Sequence, residues 1–262
     1  MNEITPADMI EAFKRIEARG TLNTLKKVRQ YAGRVFRYGV GMGLCDRDPT
    51  RDLPDDIFKK ENPQNYAHVT DPKKLAVLLN AIDSYPGYYS TAKALQIMPY
   101  VFMRPVEELL NLRWEFFRWE DDVIVLPPEL MKKKREHLVP MAKQVKAFFR
   151  DMYENSRLDT DLVFPSRYNN GRKPISETAL RKGLDKVGID KSVQVPHGFR
   201  HTASTLLNEA GWHYDAVERQ LAHVDKNKTR GTYNKAEYID IRREMMQYWA
   251  DYLDSLKATQ AD

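Results

Sequence analysis

Sulfur chemistry is almost absent from this sequence, which holds one cysteine, Cys45, in 262 residues. A lone thiol excludes an intramolecular disulfide and fits a reducing cytoplasm. Long apolar runs are absent too. None reaches the roughly eighteen residues a transmembrane helix needs, so no membrane partner is expected. The opening Met1-Asn2-Glu3-Ile4-Thr5-Pro6 has no basic start and no apolar stretch, so it does not read as a signal peptide. There is no internal repeat and no low-complexity tract. What is present is ordinary globular material: 42% apolar residues, 30% charged residues and a net charge of +5. The length suits one large domain or two ordinary ones. The positive balance points to a polyanionic partner only if it is concentrated on one surface.

It is concentrated near the start. Lys14 to Arg37 contains eight basic residues and one acidic residue, Glu17. Thr5-Pro6-Ala7-Asp8 predicts a helix start, with Thr5 as N-cap and proline in the first turn. A second helix is predicted from about Thr21 to Val40, stopped by Gly41-Met42-Gly43. Leu25, Val28, Ala32, Val35 and Phe36 are expected on its apolar face, and Lys26, Lys27, Arg34 and Arg37 opposite. A solvated helix face would not need so uniform a sign, and clustered Lys and Arg are what DNA phosphates require.

Residues 46–70, rich in Asp, Pro and Asn, predict a linker. A helix then begins near Asp71-Pro72, with Leu75, Leu78, Leu79 and Ile82 inward. Residues 91–112 read as helical, interrupted at Pro99 and Pro105. Val123–Leu126 and Leu138–Met141 predict two strands joined by a basic turn. Helices dominate from Lys143. Asp215 and Glu218 predict a capping box for a helix ending near Ala222. The stretch from Ile239 to Leu256 is amphipathic, with Met245, Trp249, Tyr252 and Leu256 in one stripe. That stripe could pack on its own domain or dock on a neighbouring protomer.

The chemistry-bearing residues lie late in the chain. His197-Gly198-Phe199-Arg200-His201 is followed by Leu221-Ala222-His223 and then by Tyr233. Each alone is unremarkable, since a helical arginine is often a structural ion pair and Tyr233 is one of 14 tyrosines. In this order they form a phosphate-gripping set followed by a nucleophile. A phosphodiester transfer needs stabilised non-bridging oxygens, an in-line nucleophile and a proton for the leaving oxygen. Metal enzymes meet the first need with carboxylates, yet no carboxylate or His/Cys cluster with ligand spacing accompanies these motifs. Guanidinium forks and imidazoles can serve instead. A phenol, with a pKa of roughly 10, needs such cations to attack near neutrality.

Together these segments resemble the C-terminal signature of the tyrosine recombinases, the phage-integrase family. The tail from Lys226 to Tyr238 resembles the subgroup of satellite prophages and genomic islands. The resemblance covers nearly the whole chain. It implies a mainly α fold with a small antiparallel β-sheet. A helical core-binding domain would span residues 1–62, and an α+β catalytic domain residues 63–262 with its C-terminal helix over 239–256. It also locates an upstream arginine, Arg104, in Val101-Phe102-Met103-Arg104-Pro105, ahead of Glu108-Leu109 and Leu112-Arg113-Trp114. The family's usual gap from arginine to glutamate is one residue shorter. Glu107 keeps that gap but loses the Leu and Trp register, so both glutamates stay open as the brace. The family's hairpin lysine falls in Met131–Pro140, where register against Val139-Pro140 points to Lys132, with Lys133 as alternative.

The resemblance implies roles for these residues. Arg104, Arg200 and His223 hold the scissile phosphate, and His197 assists proton handling. Lys132 is the general acid. Tyr233 attacks, leaving a 3′-phosphotyrosyl bond and a free 5′-hydroxyl, with no metal or nucleotide cofactor. The implied partners are double-stranded DNA attachment sites, further protomers in a DNA-bound tetramer and accessory DNA-bending proteins, in the cytoplasm at the nucleoid. Type IB topoisomerase-like relaxation and a catalytically silent DNA-binding protein are the alternatives. The chain opens where the family pattern is already under way, so Met1 is expected to mark an engineered truncation that removes an arm-binding domain, or else the start of a naturally short recombinase.

Reversing the charges of Lys26, Lys27, Arg34 and Arg37 is expected to weaken DNA binding. For every phosphate no longer neutralised, the slope of log affinity against log salt should fall by roughly 0.9. Titrations at several salt concentrations measure that slope, and an unchanged slope returns the helix to a merely solvated face.

Overall fold

The structure, a computed structural model, describes residues 1–54, 56–59, 66–156, 160–223 and 238–259. The chain divides into two compact units, Met1–Asn65 and Tyr66–Asp262.

The first unit is built on two helices, α1 (Pro6–Ala18) and α2 (Leu22–Gly41). Thr5 caps α1 as expected: its side chain accepts from the Asp8 amide, and the Asp8 carboxylate reaches back to the Thr5 amide at 2.8 Å. This reciprocal pair satisfies two of the helix's orphan donors. Phe13, Leu25, Leu53 and Phe58 form the small core, with Val28 and Ala32 at its edge. Val35 departs from the expected face and is 59% exposed. The buried line runs through Leu25, Gly33, Phe36 and Gly39, and at 100° per residue Val35 falls well to one side of it. Lys26, Lys27, Arg34 and Arg37 are all exposed.

The second unit holds the large core. Its helices are α3 (Pro72–Asp83), α4 (Tyr89–Val101), α5 (Lys143–Glu154), α6 (Glu177–Lys186), α7 (Gly198–Glu209), α8 (Tyr214–Gln220) and α9 (Ile239–Ala258). A three-stranded antiparallel sheet, β1 (Phe117–Arg118), β2 (Val123–Leu126) and β3 (His137–Pro140), runs in the order β1-β2-β3. The predicted strand pair is therefore present, with β3 starting one residue early and the short β1 added. Ile124 pairs with Val139 and Leu126 with His137, so residues 127–136 form the hairpin loop. Asp71 caps α3, and Leu75, Leu78, Leu79 and Ile82 are buried as expected.

The 91–112 segment is not one interrupted helix. Helix α4 runs through Pro99 and ends at Phe102, which sits in the left-handed region at φ 56°. Proline two residues from the helix end removes few hydrogen bonds, so the helix tolerates it. The Pro99 carbonyl is taken by Trp249 Nε1 at 2.9 Å, and the Phe102 ring meets Trp249 edge-on at 5.7 Å.

Helix α9 packs within its own unit, against α3, α4, α5, α8 and β3. It buries Arg242, Met245, Met246, Trp249, Ala250 and Leu253. Burying Trp249 and its aliphatic neighbours stabilises this packing by about 2 kcal/mol per side chain. The apolar stripe of α9 is thus an intramolecular core element.

Candidate active site

Arg104 follows the left-handed Phe102 and precedes Pro105, which keeps Arg104 extended. Pro105–Leu109 then form one π-helical turn. Such a turn takes up one more residue than an α-turn. The Glu108 carboxylate is thereby returned to the turn's start. It accepts from the Arg104 amide at 2.8 Å and pairs with its guanidinium. Glu108 is 1% exposed, whereas Glu107 faces solvent. The brace is Glu108, and the π-turn accounts for the extra residue in the spacing while Leu109, Leu112 and Trp114 keep their register.

Arg200 lies on the first turn of α7 and is 5% exposed. Its Nη1 donates to the Phe102 carbonyl and its Nη2 to the Leu221 carbonyl at 2.6 Å. One guanidinium therefore joins the Arg104 segment to the His223 segment. Burial pushes its pKa down to about 10, with Glu108 opposing and Arg104 adding to the fall. At neutral pH it remains a cation.

His197 is the N-cap of α7, half-buried. The Tyr66 ring lies 4.5 Å from its own. Burial, reinforced by the charges of Arg200, His201, Arg104 and His223, pushes its pKa down to about 4. The imidazole is therefore neutral at pH 7, with one ring nitrogen unprotonated. Residues 67–69 lie against this turn: Val195 donates to the Ala67 carbonyl at 3.1 Å, and Thr202 Oγ1 to the Val69 carbonyl at 2.8 Å. Gly198 permits the approach, since a Cβ there would stand 2.2 Å from the Ala67 oxygen.

His223 is presented by the end of α8. Ala222 takes the left-handed conformation at φ 53°. The His223 amide donates to the Glu218 carbonyl and the Ala222 amide to that of Arg219, both at 3.0 Å. This is a Schellman close with alanine in the place glycine usually fills, and such backbone costs of order 1 kcal/mol or more. The Glu218 carboxylate lies 2.9 Å from His223 Nδ1. The expected capping box is absent: α8 starts at Tyr214 with His213 as its N-cap and no side-chain cap bond, so Asp215 already lies inside the helix, and the Glu218 side chain pairs with His223.

Lys132 and Lys133 both project from the hairpin loop into solvent, just after the buried Met131 that pins it. Lys134, at φ 52°, folds back so that Nζ donates to the Glu129 carbonyl at 3.2 Å. Tyr233 lies outside the described residues, as do Lys226, Asn227 and Lys228. Lys26, Lys27, Arg34 and Arg37 lie on α2 in the first unit. Arg34 lies over the Tyr31 ring at 5.7 Å, and Arg37 pairs with Asp48 at 3.5 Å. Among the described residues, no three His, Cys, Asp or Glu side chains are grouped so as to hold a metal ion.

Arg104, Arg200, His197 and His223 thus share one electrostatic neighbourhood, braced by Glu108 and Glu218. Such a set can hold a singly charged tetrahedral anion between guanidinium and imidazole donors. The model of the phage integrase family matches residues 68–239, and that of the phage integrase central domain matches residues 1–56. The chain belongs to the phage integrase family. It is 33% identical over 254 residues to the integrase of Shigella phage Sf6, a match covering 97% of this chain and 65% of that protein. Prophage integrase IntS of Escherichia coli K12 matches with the same identity and the same coverage. This integrase-family chain therefore spans a little under two thirds of those relatives' length. Its fold is that of the Tn1549 transposon integrase in complex with a circular intermediate DNA, with a TM-score of 0.68 at 18% identity over 94% of this chain and 86% of that one. A lambda integrase dimer bound to a COC′ core site matches with a TM-score of 0.67 at 15% identity, over 90% of this chain and 66% of that one.

Several features of this site carry no sequence signature. Glu218 reads as an ordinary helical acid, and nothing local marks the Phe102 and Leu221 carbonyls as partners of Arg200. Gln194, whose Oε1 accepts from the Val69 amide at 2.8 Å, is equally silent.

All four tryptophans lie in the second unit, so their fluorescence reports its unfolding. Glu108→Gln is expected to lower that unit's stability by roughly 2 kcal/mol, the worth of a charge-assisted buried hydrogen bond. Glu107→Gln should stay within about 0.5 kcal/mol of the parent. Urea melts distinguish the two, and equal effects would undo the Glu108 assignment.

Proposed function

We propose that this chain is the core of a site-specific DNA recombinase that cuts and rejoins DNA through a 3′-phosphotyrosyl intermediate, without metal or nucleotide cofactor. The observation that carries the reading is the Arg200 bridge, which brings Arg104, His197 and His223 to one place. Arg104, Arg200 and His223 hold the non-bridging oxygens of the scissile phosphate and stabilise the charge that grows there. The Tyr233 phenol oxygen attacks phosphorus while neutral His197 takes its proton. The bond from phosphorus to the 5′-oxygen breaks, and Lys132 supplies the proton that makes that oxygen a hydroxyl. The phosphoester is conserved, so a 5′-hydroxyl from another strand can reverse the step onto a new partner.

The partner in this reading is double-stranded DNA, gripped in part by Lys26, Lys27, Arg34 and Arg37 of the first unit. Strand exchange needs several protomers on one DNA assembly, so a DNA-bound tetramer is proposed, with DNA-bending proteins as accessories. The lambda and Tn1549 integrases, which share this fold, are themselves bound to DNA in their structures, and this supports the DNA partner.

Nicked duplexes bearing candidate attachment sites lose the fragment beyond the nick and trap the intermediate. The expected result is a covalent DNA adduct that forms in the presence of a chelator and maps to Tyr233 by mass spectrometry. Tyr233→Phe should bind the same duplexes and form no adduct. An adduct in that variant, or one mapped to another residue, overturns the assignment.

A further inference from the structure

We infer that Arg242, Gln220 and His137 form a positioning cluster that locks the hairpin carrying Lys132 to the end of α8 that carries His223. The lock is a structural claim, whereas what it positions rests on the recombinase reading above.

Three buried polar side chains from three elements meet here. Arg242 of α9 is 0% exposed, Gln220 of α8 2% and His137 of β3 4%. Arg242 Nε donates to Gln220 Oε1 at 2.9 Å, and its Nη2 donates to the Leu138 carbonyl. A guanidinium only donates, so the Gln220 amide must turn its oxygen toward it. His137 Nε2 lies 3.2 Å from the Gln220 carbonyl. A carbonyl only accepts, so that nitrogen bears the proton. Burial, with the nearby charges of Arg242, Arg219 and Arg200, pushes the His137 pKa down to about 3 and keeps the ring neutral.

The placement of these bonds matters. Gln220 and Leu221 end α8, where helix carbonyls have no intrahelical donor. The Gln220 carbonyl takes His137 and the next one, that of Leu221, takes Arg200. Hairpin and phosphate-gripping arginine thus attach to adjacent peptide groups. His137 is also the residue that closes the hairpin, paired with Leu126 across the loop that holds Lys132. Any slip of the hairpin past α8 would break the His137 and Arg242 bonds together.

Stability does not explain this choice of residues. Gln220 Nε2 has no hydrogen-bond partner among the described residues, and a buried unmade donor is destabilising. Apolar side chains of similar volume would avoid that cost. The polar set instead fixes one geometry, because its bonds are directional and apolar packing is not.

Hydrogen exchange of the full DNA-free chain tests the lock. Gln220→Met and Arg242→Lys are each expected to speed exchange of the 131–138 amides roughly tenfold, with α3 and α4 unchanged. Gln220→Glu, which keeps the acceptor for Arg242, should hold the hairpin at the parent rate. Unchanged hairpin exchange in both of the first two variants, or an equal rise throughout the unit, overturns the cluster. Cleavage supplies the second readout. The first two variants should slow adduct formation roughly tenfold or more with an ordinary 5′-oxygen leaving group. A bridging 5′-thiol, which leaves without protonation, should recover most of that rate. Equal slowing on both substrates overturns the positioning role. A parent chain that forms no adduct would count against the recombinase reading alone, since the exchange result still decides the lock.

Discussion

The buried guanidinium of Arg200 donates to a carbonyl on each side, Phe102 near Arg104 and Leu221 near His223. Those carbonyls are 98 and 21 residues away in sequence. Removing the cation would take that donor from both buried carbonyls. Each hydrogen bond to a charged donor is worth about 1.5–3 kcal/mol. A single side chain thus ties both segments together, in the same electrostatic neighbourhood as Arg104 and His197.

Three backbone departures lie at that bridge. Phe102 and Ala222 both adopt left-handed φ, and Pro105–Leu109 wind as a π-turn. Each departure aims something at the site: Phe102 precedes Arg104, the π-turn returns Glu108 to it, and Ala222 turns the chain so that His223 meets Glu218. Such conformations cost of order 1–3 kcal/mol each and persist where the surroundings over-determine them. Here the surroundings are α9, whose Trp249 covers Phe102 and whose Arg242 holds Gln220.

Elements with local signatures are legible in the sequence. Thr5-Pro6 and Asp71-Pro72 open helices where capping chemistry places them, and short apolar runs on either side of a basic turn mark β2 and β3. Arg104, His197, Arg200 and His223 lie within one electrostatic neighbourhood. The misreadings share a cause. Counting residues from Arg104 could not separate Glu107 from Glu108, because a π-turn adds a residue without leaving a sequence mark. Glu218 read as a capping partner of Asp215, because its true partner, His223, lies on the far end of the same helix. Val35 follows Ala32 at helical spacing, yet the buried line of α2 runs through Gly33 and Phe36 and leaves Val35 turned outward. The bonds of Arg200 and Arg242 reach carbonyls, and carbonyls are the same at every residue.

Arginine-selective NMR of the DNA-free chain tests most directly whether Arg200 assembles the site before DNA arrives. Spectra of the parent and of Arg200→Lys assign the Arg200 Nη signals by their disappearance. Arg200 Nη protons that are resolved and protected from solvent exchange, unlike those of the exposed Arg34, are the predicted result. Arg200 Nη protons that exchange as fast as those of exposed arginines would contradict the bridge on which the site is built.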